Sequence, residues 1–424
     1  MLTIFRSLRH RNYRLFFAGQ SVSLIGTWMQ SVAQSWLVYQ LTGSTVLLGT
    51  VGFCGQIPVF LLGPLTGAVA DRLDRRRIVI TTQACSAALA AILSVLTFTG
   101  WVRTWHILVL ASLLGLVNAF DIPARQSFVP ELVPREDLSN AIALNSSMFN
   151  GARVIGPAVA GMMVAAVGEA WCFLGNAISF LAVIVGLLMI VAPKRELTPP
   201  TGSRLDQVLE GFRFIVRTRP IRFILTLLGV MSLVGMPYTV LMPVFAAQVL
   251  KGNARTLGSL MASTGVGALT GALLLARRKG FRGMARLIGT AAIGFGLSLV
   301  LFSASRNVYL SMLLLFPVGF SMISQMAASN TMIQAMVPDH LRGRVMSVYS
   351  MMFMGMAPFG SLIAGSAAKV IGAPNVVMAG GVVAMVAGAM FRWRLSSIRL
   401  ETRQLIVAQQ VMPGEPSPAA PRQG

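Results

Sequence analysis

Acidic side chains are scarce in this chain. There are 13 Asp and Glu against 35 Lys and Arg in 424 residues, and charged residues of both signs make up only 11% of the whole. Water-soluble domains average about 25% charged residues, so a soluble globule is excluded and the bilayer is the solvent. The net charge of +22 would suit a nucleic-acid partner only if the basic residues shared one face or stripe. They fall instead in short clusters between apolar runs, so no nucleic acid is implied. Cysteine is nearly missing: Cys54, Cys85 and Cys172 are odd in number and each lies in an apolar run, which indicates neither a disulfide framework nor a metal site. The three histidines, His10, His106 and His340, fall at or outside predicted helix ends, which argues against a buried histidine relay. No Gly-x-x-x-x-Gly-Lys loop is present to suggest ATP drive, and no cofactor is implied. With at most one buried acid and no buried histidine, the chain lacks the clustered groups of a membrane enzyme. The basic start resembles the n-region of a signal peptide, but no small-residue cleavage pattern follows, so the first helix is expected to be retained.

Hydrophobic length is abundant: 55% of residues are hydrophobic and the mean hydropathy is +0.72. A run of about 20 apolar residues crosses the hydrocarbon core. Twelve such runs, from 14–41 and 45–70 through 107–130 and 140–166 to 345–371 and 375–395, predict an all-α integral membrane protein. If the amino terminus is cytoplasmic, only Arg103, Lys251, Arg255, Arg306 and Lys369 fall on the outer side and Arg153 within the membrane, so both termini are expected to face the cytoplasm. The segments are then a cytoplasmic start (1–13), a six-helix bundle (14–192), a cytoplasmic linker (193–220), a second six-helix bundle (221–395) and a disordered tail (396–424). In the linker, Leu205, Val208, Leu209, Phe212, Ile215 and Val216 recur at helical spacing, which predicts an amphipathic helix on the inner membrane surface.

An internal repeat relates the two bundles. A shift of 204 residues places Val133-Pro134 on Val337-Pro338, Ser146 on Ser350, Gly151 on Gly355, Gly156 on Gly360, Gly161 on Gly365 and Gly67 on Gly271. Two six-helix halves related by a parallel repeat form a transporter architecture, with the substrate site near the midplane between them.

Ionisable and polar groups inside apolar runs are functional candidates, because hydrocarbon penalises them. Asp121, beside Pro123, is the one acid placed inside a helix, where it is a candidate proton carrier. Asp-x-Pro is also a turn or cap pattern, with Arg125 one turn away as an ordinary ion-pair partner. Arg153 lies about 20 Å along the fifth helix from Asn140, at 1.5 Å per residue. It should face the central cavity or a partner, unless it snorkels or caps a neighbouring helix. The break Gly156-Pro157, with Gly161 beyond it, permits close backbone approach where something must rock or seal. Gln20, Thr27, Gln30 and Gln34 form a polar stripe on the first helix with Trp28 beside it, lining a cavity or gluing helices together. Asn145 and Asn150, then Gln325 and Asn330, offer further polar contacts. Met351 belongs to a methionine-rich stretch that suits a bulky substrate or plain packing.

The loop Gly67-Ala-Val-Ala-Asp71-Arg72-Leu-Asp74-Arg75-Arg76-Arg77 resembles the signature of the major facilitator superfamily between helices two and three. Residues 121–161, from Asp-x-Pro-Ala-Arg-Gln to Gly156-Pro157, resemble the signature of a narrower group: enterobactin-type siderophore exporters and macrolide efflux proteins, the transmembrane secretion effectors. Asp74 stands where the superfamily usually has Gly, and the second copy of the loop has Leu275 in place of Asp71. The helix-four arginine of proton antiporters has no counterpart in Leu113-Leu114-Gly115-Leu116-Val117-Asn118. The resemblance implies that Asp71, with Arg72, Asp74, Arg75 and Arg76, forms a charge latch against the start of helix eleven, the alternative being a solvated charge cluster. It also implies a monomeric, twelve-helix secondary transporter of the bacterial inner membrane that exports a small amphiphilic compound, a siderophore, macrolide or other drug-like molecule, by alternating access with proton antiport. A lysophospholipid mover or facilitated uniporter of the same superfamily is the other reading.

Overall fold

The computed structural model describes residues 3–190, 212–278, 280–281 and 283–410, with backbone alone at 3–4, 64–65, 67–72, 339–340, 398–399 and 409–410. The predicted linker helix therefore lies largely outside the described residues, and the 212–217 stretch is helical. Among the described residues, twelve long helices make the bundle: α1 (Arg11–Thr42), α2 (Thr45–Arg72), α3 (Arg75–Phe98), α4 (Thr104–Phe128), α5 (Leu138–Val167), α6 (Glu169–Leu188), α7 (Arg219–Val249), α8 (Ala254–Ala276), α9 (Met284–Ala304), α10 (Val308–Met336), α11 (Asp339–Ile371) and α12 (Ala373–Gln410). No strand occurs among the described residues. Every helix from α2 to α12 is long and apolar enough to cross a membrane. α1 is 32 residues long but less apolar, because it carries the polar stripe, and Gln20 and Gln30 of that stripe are buried. Large apolar side chains such as Leu61, Ile155, Leu181, Leu313 and Ile363 cover the outer surface instead, where lipid rather than water would solvate them.

Local chemistry sets several boundaries. Asp74, Asn253 and Asn307 each cap the start of a helix by accepting from backbone N–H groups. Gly43 ends α1 in the left-handed conformation at φ 59°. Pro123, Pro157, Pro317 and Pro358 lie inside helices, and α7 carries π-type turns at Met231–Gly235 and Phe245–Val249. α12 departs from the sequence expectation by remaining helical to Gln410. Beyond the apolar run, Leu405 and Ile406 recover contact with the core, and the intervening residues include the good helix formers Arg, Glu and Gln.

Odd-numbered helices start at one end of the bundle, here the near end, and even-numbered helices start at the far end. α5 packs on α8 and α2 on α11, and these two contacts join the halves. The repeat holds in space. A Cβ on Gly156 would stand 2.9 Å from the Ile25 carbonyl oxygen of α1, and Gly360, one repeat later, lies against the Leu233 carbonyl of α7.

At the near end, the 3-10 turn Thr3–Arg9 is clamped to the start of α5. Asp137, which has no exposed side-chain surface, lies 2.6 Å from Arg6 Nε, 2.8 Å from Arg9 Nη2 and 2.7 Å from His10 Nε2. The His10 hydrogen bond, with the charges of Arg6 and Arg9 acting against the cost of burial, holds its carboxyl below the usual carboxylate range. A group depressed on folding stabilises above its unfolded pKa, and that contribution is lost as pH falls through the folded value. Asp137→Asn is therefore expected to lower the Tm of the purified protein by a constant amount from about pH 8 to about pH 5, with the gap closing only below about pH 4. A gap that persists undiminished at about pH 3 would show that the charge of Asp137 is not what stabilises the clamp.

Candidate functional site

A cavity of about 440 Å³ lies between the halves. α1 supplies Gln20, Thr27, Trp28, Gln30 and Gln34, α3 supplies Gln83 and Ser86, α4 supplies Asn118, Asp121 and Arg125, and α5 supplies Arg153 and Pro157. From the second half, only α7 and α8 reach it among the described residues, through Met236, Tyr238, Met261, Thr264 and their neighbours. The polar stripe of α1 is thus held against the cavity and α6 rather than lipid. Asn176 of α6 donates to Gln30 Oε1 at 2.7 Å, which satisfies a group that would be costly in hydrocarbon.

The sequence candidates divide between cavity and packing. Gln325 borders a separate small space with Met322, Met326 and Phe353. Asn330 accepts from Gln334 at 3.0 Å, Asn150 donates to the Ser146 carbonyl at 2.9 Å, and Asn145 is half-buried. With Met351, these three do not border the 440 Å³ cavity. In the second half, α10 packs so tightly on α8 that a Cβ on Gly319 or Gly267 would run into the facing backbone, and Gln325 of α10 is held off the large cavity.

Asp121 is buried, and its carboxylate is fully engaged. The Thr82 hydroxyl lies 2.8 Å and Gln83 Nε2 3.0 Å from Oδ1, and Arg125 Nε lies 3.0 Å from Oδ2. The Thr82 hydroxyl is also 2.9 Å from the Val79 carbonyl oxygen. Sequence reasoning singled out Asp121 and Arg125 but missed Thr82 and Gln83. Two adjacent polar residues inside the apolar run of α3 were the available signal.

Arg153 does not pair with Asp121, although both border the cavity. Its guanidinium stands 5.4 Å from the Trp28 ring centroid, and Nη2 lies 3.8 Å from the Met322 sulfur. No carboxylate lies within ion-pair distance of it among the described residues. A cation–π contact in a desolvated place contributes about 2 kcal/mol, comparable with the roughly 2.5 kcal/mol or more that an arginine costs at the centre of a membrane helix. The ring offsets that cost without neutralising the charge. Tyr238, also buried, has a hydroxyl that makes no hydrogen bond of good geometry, and the neighbouring Thr264 hydroxyl is committed to the Leu260 carbonyl at 3.2 Å.

The far end is sealed by backbone contact. A Cβ on Gly258 of α8 would stand 2.5 Å from the Pro157 carbonyl oxygen and 2.7 Å from Gly161 Cα. A Cβ on Gly49 of α2 would stand 2.5 Å from the Ser361 carbonyl oxygen and 3.1 Å from Gly365 Cα. Pro157 and Ser361 are one repeat apart, as are Gly161 and Gly365, so the two seals are copies of one arrangement. Toward the near end such backbone contact is lacking at two glycines: a Cβ on Gly63 of α2 or on Gly343 of α11 would meet nothing within 4 Å.

Near-end basic residues bond within the first half. Arg75 donates to the Ser127 carbonyl at 2.8 Å and to Glu131 at 2.9 Å, and Arg76 to the Leu187 and Leu188 carbonyls at 2.8 and 2.9 Å. Asp74 caps α3 and lies 3.5 Å from the exposed Arg77.

Two sealed, repeat-related crossings around one cavity describe a major facilitator bundle, and the family model for transmembrane secretion effectors matches residues 2–419. The chain belongs to that family. The transmembrane secretion effectors are efflux transporters rather than enzymes, so this is a multi-pass membrane protein acting on small molecules. Similar family members include the staphyloferrin A transporter of Staphylococcus aureus, 30% identical over 365 residues that cover 85% of this chain and 90% of that one. The multidrug efflux pump Tap of Mycolicibacterium fortuitum is 28% identical over 391 residues, 89% of this chain and 95% of that one. In fold, the effector resembles the inward-facing, occupied structure of a bacterial homologue of the human lysosomal transporter Spinster, with a TM-score of 0.72 at 13% identity, covering 96% of this chain and 99% of that one.

Proposed function

We propose that the chain exports a small amphiphilic compound across the bacterial inner membrane by alternating access, with protons entering in exchange. One observation carries this reading: a single cavity, closed at the far end by paired glycine crossings, holds both aromatic walls and a buried carboxylate. The clustering of Arg and Lys at the near end supports a cytoplasmic placement for that end. The cavity then opens to the cytoplasm, the side from which an exporter loads. That relatives are named for moving a siderophore and for multidrug efflux supports export of such compounds.

Asp121 is the proposed proton carrier. Its surroundings suit either protonation state: the Thr82 hydroxyl donates to the ionised carboxylate, and turns to the Val79 carbonyl when the carboxyl holds a proton. Arg125 neutralises the charged form. In the opposite state the near end closes, and there Asp71, with Arg72 and the rest of its loop, is proposed to latch onto the start of α11.

Proteoliposomes with an imposed pH gradient test the reading. Siderophores, macrolides, dyes and lysolipids are screened for flux, with an internal pH dye recording proton movement. The expected result is proton movement that begins on adding one class of compound and stops without it. Flux indifferent to the gradient would turn the reading to facilitated uniport, and no flux of any class would end it.

A further inference from the structure

Resting on the export reading, we propose that the exported compound is an organic anion whose carboxylate or equivalent group docks between Arg153 and Tyr238, with its apolar body against Trp28. Among the described residues, the charged ones bordering the cavity are Asp121, Arg125 and Arg153, two cations and one anion. Asp121 and Arg125 are paired with each other, so the unbalanced charge is that of Arg153. Its neighbours on the protein, the Trp28 ring and the Met322 sulfur, carry no negative charge.

A buried cation facing a cavity is best balanced by a ligand anion, because at low dielectric the attraction is strong and the bonds to a charged acceptor are short. A neutral ligand leaves the charge uncompensated, and a cationic one is repelled. Tyr238 supplies a second, independent pointer. Its hydroxyl is buried at the same cavity as Arg153 and makes no hydrogen bond of good geometry, so its proton can be donated to a ligand there. A guanidinium and a phenol together present donors to the oxygens of one carboxylate. The remaining wall near them, Trp28 with Leu24, Met236 and Met261, is aromatic and aliphatic, which fits a bulky apolar body on the same molecule.

The test uses the full chain in lipid nanodiscs, with empty nanodiscs as the blank. Three probes share one body and differ in charge: pyrenebutyrate, its methyl ester and pyrenebutylamine. The acid is expected to bind at least about tenfold more tightly than the ester or the amine, the effect of one bond to a charged group. Arg153→Gln should bring acid and ester within about twofold of each other through loss of acid affinity, with an unchanged circular dichroism spectrum and thermal transition in the nanodisc showing that the variant is folded. Arg153→Lys should keep part of the preference, since it keeps the charge but not the planar fork. Tyr238→Phe should weaken acid binding by severalfold and spare the ester.

Equal binding of acid and ester to the wild type, or a preference that survives Arg153→Gln, would overturn the organic-anion assignment and leave the export reading intact. A fluorescence change on adding chloride alone that Arg153→Gln abolishes would assign the place to a small inorganic anion, also overturning it. Failure of the acid, the ester and the amine alike to bind, together with no flux of any compound in proteoliposomes, would instead remove the export reading and this inference with it.

Discussion

Asp121→Asn is expected to abolish transport driven by a pH gradient, bringing flux to the level seen without one, while exchange at equal pH continues. The substitution is nearly isosteric, and the amide oxygen still accepts from Thr82 and Gln83, which lie 2.8 and 3.0 Å from Oδ1. Only the face toward Arg125, 3.0 Å from Oδ2, is changed. There the amide NH₂ opposes a guanidinium, and loss of a bond between charged groups costs about 1.5–3 kcal/mol. Arg125 borders the cavity and its side chain is 23% exposed, so water takes up part of that loss and the fold is expected to persist. Internal pH recordings in proteoliposomes decide the matter. Proton movement in the variant equal to that of the wild type would take Asp121 out of the coupling step.

Gly258→Ala is expected to hold the far end ajar. The added methyl would meet the Pro157 carbonyl oxygen at 2.5 Å, and backbone cannot swing aside as a flexible side chain can. Overpacking of this kind costs about 1–3 kcal/mol, which displaces the sealed state by roughly 5- to 150-fold. Transport should fall accordingly, and far-end residues should become more accessible to an impermeant thiol reagent at an engineered cysteine. Because the Ser361 carbonyl meets Gly49 in the same way, Gly49→Ala should give the same loss. Gly175→Ala is the contrast: there the methyl meets only the end of the Met29 side chain, at 3.2 Å, and transport should stay within about twofold of wild type. Losses confined to one of the two seal positions would show that the halves do not close as matched copies.

Much of this architecture was legible in the sequence because the bilayer permits few solutions. Twelve apolar runs can only be helices, and the constant 204-residue offset paired α5 with α11 before any coordinates. What the offset did not supply was the other side of each crossing, since Gly49 and Gly258 fall outside that register. Buried polar residues were recognisable as such, but their destinations were not. The stripe of α1 borders the cavity, whereas Asn150 and Asn330 bond within their own helices and Met351 lies off it; hydropathy alone cannot say which buried polar face turns to a cavity. Asp137 was illegible for a different reason. A carboxylate in a charged turn looks like surface until the amino-terminal segment folds over it and buries it under Arg6, Arg9 and His10.

The unequal shares of the two halves in the cavity have a consequence for how such a chain can diverge. With most of the wall supplied by α1 to α6, residues of one lobe can vary and change what is recognised, while α9 to α12 keep a packing in which few substitutions are tolerated. Substitutions meant to change what is bound are therefore best placed on α1 to α6, and those meant to change how the halves pack on α9 to α12.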